Sequence, residues 1–196
     1  MNEAGLERSG TFLLGLMRRI EEASFLDPIA DSLLRGLQPL STSKPLTGVL
    51  RGSWLGHSLH PLLTDFTEGP WMATTFLDLF GPPGSAPAAR RLLGIGLLAA
   101  VPTYLTGVAD WAAARRVEEK RVGLVHLLTS SLAVALYSAS YVTRGRERRA
   151  KPVLLGLAAG VVALAEGYVA GHAGHVQGTG FGPTANAGRD PRHETG

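Results

Sequence analysis

Apolar residues recur at three- and four-residue steps from Leu13 through Leu16, Met17 and Ile20, and again from Ile29 through Leu33, Leu34 and Leu37. Arg18, Arg19, Glu21 and Glu22 fall on the opposite side. A 3.6-residue period with one polar face predicts two amphipathic helices over residues 12–40. Their division falls at Asp27-Pro28, where Asp27 can cap and the Pro28 ring suits a first helical turn. Both helices are too charged to cross a bilayer and too apolar to stand alone in water. They are expected to lie on the membrane surface or over one mouth of a helical bundle.

Beyond residue 60 the pattern changes from stripes to blocks. Residues 61–80, 92–112, 122–142 and 153–170 are apolar almost throughout. At about 1.5 Å per residue, roughly 20 residues cover the ~30 Å hydrocarbon core of a bilayer. The connections 81–91, 113–121 and 143–152 are short and rich in Pro, Gly, Arg or Glu, so neighbouring helices must run antiparallel. The expected fold is all-α: an integral membrane up-down four-helix bundle (53–176) preceded by amphipathic N-terminal helices (1–52) and followed by a flexible polar tail (177–196). Small residues within the blocks, among them the Gly156/Gly160 pair, suit close helix contact in lipid. Pro70 and Pro102 fall inside blocks and each removes a helical hydrogen bond.

Composition narrows the chemistry. The mean hydropathy of the 196 residues is only +0.12, because the polar ends dilute the apolar blocks. No cysteine is present, which excludes disulfides, cysteine-ligated iron–sulfur clusters, zinc-thiolate sites and covalent c-type haem. A net charge of +3 gives no reason to expect nucleic acid, and basic residues in the loops point instead to the headgroups of a lipid bilayer. The apolar run 11–17 is short, follows acidic residues and is not expected to act as a signal peptide. A multi-pass protein of the cell membrane is expected. Its loops carry seven Lys and Arg on one side against six on the other, which sets no orientation.

Helix direction then assembles a site. If spans alternate, His57 and His60 before or at span one, Asp110 at the end of span two, His126 one turn into span three, and His172 and His175 after span four all fall on the same side. Asp65 and Glu68 in the first half of span one and Glu166 near the end of span four join that half. A carboxylate at this depth costs about 2.5–3.5 kcal/mol on insertion scales, so it is expected to face the interior with a partner. Asp65 and Glu68, at i and i+3, share a face. The other half has only Asp78, near an end. Three chemistries fit. His60, His126 and His172 could supply axial imidazoles to haem b. His57, His60, His126, His172 and His175 with Glu68 and Glu166 could ligate a transition metal. The cluster could also relay protons. The plain alternative is that the histidines tie helix ends together. No nucleophile elbow or phosphate loop is present, so an enzyme in the ordinary sense is not expected.

The stretch Trp54-Leu55-Gly56-His57-Ser58-Leu59-His60-Pro61-Leu62-Leu63-Thr64-Asp65, with Thr106-Gly107-Val108-Ala109-Asp110-Trp111, Val122-Gly123-Leu124-Val125-His126 and Gly171-His172, resembles the bacterial membrane family DUF2231. The resemblance implies four transmembrane helices and supports Asp110 and Trp111 beside the histidines as site residues. Some members carry a Rieske iron–sulfur domain after the last helix, which implies a redox setting. This chain departs from the family pattern at Ser58, where Pro is usual, and at Thr67-Glu68-Gly69, so Glu68 is a local feature. The leading expectation is a membrane subunit that binds haem b or a metal for electron transfer, beside a separate redox protein or membrane complex. A cofactor-free structural or interaction subunit is the alternative, with homo-oligomerisation open to either.

Overall fold

The computed structural model describes residues 3–146 and 149–176, with side chains described for all of these except 3–11, 40–42 and 173–176. Among the described residues the elements are all helical: α1 (Glu3–Glu22), a 3-10 turn (Ser24–Leu26), α2 (Asp27–Thr42), α3 (Lys44–Leu50), α4 (Leu59–Phe80), α5 (Ala86–Trp111), α6 (Val117–Thr143) and α7 (Ala150–Val176). The two amphipathic helices and the four long ones follow the apolar pattern. The short α3 does not; its KPLTGVL sequence begins with Pro in its first turn but has too little apolar repeat to announce a helix. The polar tail and His193 lie outside the described residues.

Consecutive long helices run antiparallel, as their cross-bonds require. On α4 and α5, Thr74 Oγ1 donates to Ala89 O at 3.2 Å while Thr67 Oγ1 meets Thr103 Oγ1 at 2.8 Å. On α6 and α7, Ser140 Oγ donates to Pro152 O at 2.7 Å while Ser130 meets Glu166. Between α5 and α6, Gly94 lies against Tyr141, and Gly123 against Trp111 at the other end. Packing is closest within the pairs α4–α5 and α6–α7.

The distribution of side chains is the reverse of a water-soluble bundle. The buried positions are mostly small or hydroxylated: Ala89, Ala100, Ala133 and Ala159 with Thr67, Thr74, Thr103, Thr106, Ser130 and Ser140. Large apolar side chains such as Phe66, Phe76, Leu98, Leu105, Leu132 and Leu164 point outward. A lipid environment accounts for both, since it welcomes outward Leu and Phe and leaves helix association to small-residue contact and hydroxyl bonds. Gly156 and Gly160 show this directly, turning to Ser140 and Tyr137 of α6. Among the described residues three helices are long and apolar enough to cross a membrane: α5, α6 and the Ala150–His172 part of α7. The first of the four expected spans, α4, is not among them; it carries Asp65, Glu68 and Asp78 in 22 residues.

The N-terminal helices pack across the beginning of α6. Met17 of α1 is buried with Val122 and Val169, and Ala30 of α2 with Trp111 and Leu124. Asp27 opens α2 but does not cap it by side chain. Its carboxylate instead takes Arg121 Nε at 2.6 Å and Nη2 at 2.7 Å, because a guanidinium from α6 offers two charge-assisted bonds where a cap offers one. One turn further on, Lys120 Nζ stands 3.0 Å from Asp31. These two pairs orient α2 on α6.

Candidate functional site

Local geometry at the N-terminal end of the long helices is set by tight backbone approaches. Gly52 holds φ +72° in the turn after α3, where a Cβ would stand 2.5 Å from His57 O and 2.8 Å from Leu59 N. The turn therefore folds back onto the start of α4 only with glycine there. Gly107 on α5 lies under the His60 ring, its absent Cβ falling 2.8 Å from Cε1. The Trp111 ring covers Gly123, and its Nε1 donates to Lys120 O at 3.1 Å, closing the α5–α6 hairpin.

His60 projects from the first turn of α4 toward α5, where Nδ1 lies 3.0 Å from Thr103 O and 3.3 Å from Thr106 Oγ1. A carbonyl can only accept, so Nδ1 carries a proton. His126 reaches inward from α6, its ring centroid 6.3 Å from that of His60 and nearly perpendicular to it. Its Nε2 is 3.8 Å from Glu166 Oε1, too far for a hydrogen bond. Its Nδ1 is buried without a partner. Glu166 Oε1 accepts from Ser130 Oγ at 2.5 Å, and Ser130 stands one turn beyond His126 on the same helix. Glu68 on α4, two turns from His60, is half-buried. Thus the structure brings His60, His126, Glu166 and Glu68 to one half of the molecule.

The remaining candidates have other partners. His172 Nε2 pairs with Glu21 Oε1 of α1 at 2.8 Å. Asp110 accepts from Ser58 Oγ at 2.7 Å and Arg51 Nε at 3.2 Å, tying the turn before α4 to the end of α5. Trp111 acts through packing and its bond to Lys120. His57 is exposed, with Nδ1 3.0 Å from Ser58 O. Asp65 is also exposed: at three residues the helix has turned about 300°, so Asp65 and Glu68 lie at the two edges of a face rather than both inside. The side chain of His175 lies outside the described residues. Among the described residues no three His, Asp or Glu side chains converge closely enough to hold a metal as they stand.

Several partners escape a sequence reading. Thr103 and Thr106, at i and i+3, carry the signal of a shared hydroxyl face. Ser130 at i+4 from His126 carries a similar one. Glu21 has none, since a glutamate on an amphipathic helix reads as solvated surface.

Apolar outer faces, small-residue contacts within and a polar histidine–carboxylate cluster at one end define a helical membrane protein. The chain belongs to the family described as predicted membrane protein (DUF2231), whose model matches residues 56–182. That match takes in all four long helices and leaves out α1, α2 and α3. No curated protein and no solved structure matches the chain.

Proposed function

We propose that this protein is a multi-pass membrane subunit in which α4 crosses the bilayer with α5, α6 and α7 as an up-down four-helix bundle, and whose His60–His126–Glu166 cluster takes a transition-metal ion. The observation that carries the reading is the buried, unpartnered Nδ1 of His126. A buried polar atom without a bond costs about 1–3 kcal/mol, and a bound ion or water is a usual reason for one to persist. The donor set suits an ion: two imidazoles and a carboxylate are ligands for zinc, copper, iron or nickel. His60, with Nδ1–H held by the Thr103 carbonyl, has the support that a ligating histidine ordinarily has. Glu166 would exchange Ser130 for the ion or for the His126 N–H.

Haem b fits less well. The His60 ring lies directly on the Gly107 backbone, and Thr67 and Thr103 close α4 on α5 one turn deeper, which leaves no flat slot between these helices for a macrocycle. A redox-active ion would supply one-electron chemistry. The chain's own residues hold the imidazoles in place, keep lipid out and set the proton on His60.

Elemental analysis of the detergent-purified protein, with an absorption spectrum before and after dithionite, tests this. Stoichiometric copper, iron, zinc or nickel without a haem Soret band supports it. No metal above background counts against it, and a Soret band with sharp α and β bands restores the haem version. A second reading, a cofactor-free interaction subunit, is favoured by the His172–Glu21 and Asp110–Ser58–Arg51 bonds, in which polar residues of the mouth serve as ties. Deleting residues 1–50 would then lose a partner while the long helices stay folded.

A further inference from the structure

A cavity of about 300 Å³ lies between α2 and the turn that joins α5 to α6, away from the histidines. Asp31, Leu34, Arg35 and Gln38 of α2 form one wall, spaced at one, three and four residues along the helix. Ala112, Ala114 and Lys120 form the other. The two cations are not equivalent. Lys120 is already paired with Asp31 at 3.0 Å, whereas Arg35 is exposed and has no ion pair among the described residues. With one carboxylate and two cations, the cavity carries one uncompensated positive charge.

Its depth is fixed by the chain. Ala112 follows the last residue of α5 and Lys120 lies in the first turn of α6, and both are membrane-capable helices. The cavity therefore opens where the chain leaves the hydrocarbon, at the level of lipid headgroups. Leu34 on its wall offers apolar surface beside the charge. A guanidinium with free donors, beside a second cation and an apolar helix edge, matches a phosphodiester with acyl chains attached.

We propose that this cavity binds the phosphate of an anionic phospholipid, anchored chiefly by Arg35 with Lys120 as second cation, so that one lipid fastens α2 to the α5–α6 turn. The proposal rests on α5 and α6 crossing the membrane and is independent of any metal at the histidines. Free phosphate offers the same charge without acyl chains to lie along α2, and is the competing source.

Thermal unfolding of the full chain in neutral detergent, titrated separately with phosphatidylglycerol, phosphatidylcholine and inorganic phosphate, separates these. Phosphatidylglycerol is expected to raise the melting temperature above the effect of phosphatidylcholine, with inorganic phosphate inert at the same concentration. Arg35→Gln should raise the phosphatidylglycerol concentration for half-maximal effect about fivefold, the loss expected for one basic contact at a membrane surface. Arg115→Gln, an exposed arginine that does not line the cavity, should leave it unchanged. Circular dichroism confirms that both variants keep their helices. An unaltered response in Arg35→Gln, or an equal loss in Arg115→Gln, would overturn the proposal in favour of diffuse surface charge. A shift reproduced by inorganic phosphate would overturn the lipid assignment.

Discussion

The two ends of the long helices handle buried charge in opposite ways. At the end of α4, Asp78 faces Arg144 of α6 in a two-pronged ion pair whose side chains are only 3% and 6% exposed, with one contact, Nη1 to Oδ1, at 2.9 Å. Arg149 donates to the Asp78 carbonyl at 3.2 Å, and Ser140 bonds both Arg144 and Pro152. Each charged group there has its partners, so the cluster is a finished clasp between α4, α6 and α7. At the opposite end, His126 and Glu166 stand 3.8 Å apart without bonding, and the buried Nδ1 of His126 has nothing to meet. Among the described residues the other buried side-chain nitrogen without a partner, Trp71 Nε1, belongs to an indole that lies against Gly96 and stacks on Tyr137, so its burial has a packing reason. The His126 ring meets His60 edge-on, and its Nδ1 is left over while Nε2 stands beside a carboxylate that it does not bond. The proposed metal site rests on this contrast between a completed polar cluster and an open one.

Breaking the clasp should have the largest effect. Arg144→Ala leaves Asp78 buried and unpaired, a change that typically costs about 3–5 kcal/mol, and is expected to lower the melting temperature in detergent far more than any change at the histidine mouth. Gly123→Ala drives a methyl into the Trp111 ring and should cost about 1–3 kcal/mol through overpacking, read in the same unfolding assay. Ser130→Ala sharpens the comparison, since it removes the one firm bond to Glu166. It should cost about 1 kcal/mol and, because Glu166 gives up this bond when it takes the ion, should leave metal binding no weaker.

The smallest effect concerns pH and α2. The Arg121 guanidinium holds the Asp27 carboxyl below its ordinary value of 3.8. A depressed carboxyl contributes its docking strength in full above the unfolded value and loses it as pH falls through the lower folded one. Amide exchange in α2 should therefore stay slow from neutral pH down to about 3.8 and rise below it, while the α4–α5 core is unchanged over that first step.

Much of this arrangement is legible in the sequence, and the parts that are not share a cause. The amphipathic and apolar periods identify α1, α2 and the long helices, and alternation of direction places His60, His126 and Glu166 at one end without a coordinate. Period says nothing about which side chain meets which across helices. Asp78 and Arg144 are 66 residues apart, and nothing in either segment marks the pair; Asp78 reads as an isolated end residue. His172 reads as a ligand candidate, and no local signal shows that its Nε2 meets Glu21, 151 residues away. Asp27 reads as a cap because capping is the local use of an aspartate before proline, and the tertiary Arg121 displaces that use. The first span reads as a membrane helix from length, yet its three carboxylates set α4 apart from the other three long helices.

Cobalt(II) titration of the metal-free protein, followed by visible absorption and compared with His126→Ala, tests the open site most directly. Saturation at about one ion per chain with ligand-field bands of nitrogen and oxygen coordination, lost in His126→Ala while the melting temperature changes little, is the predicted result. Absence of such bands in the unsubstituted protein, or bands that persist in His126→Ala, would contradict the account and make the gap at His126 a place for water.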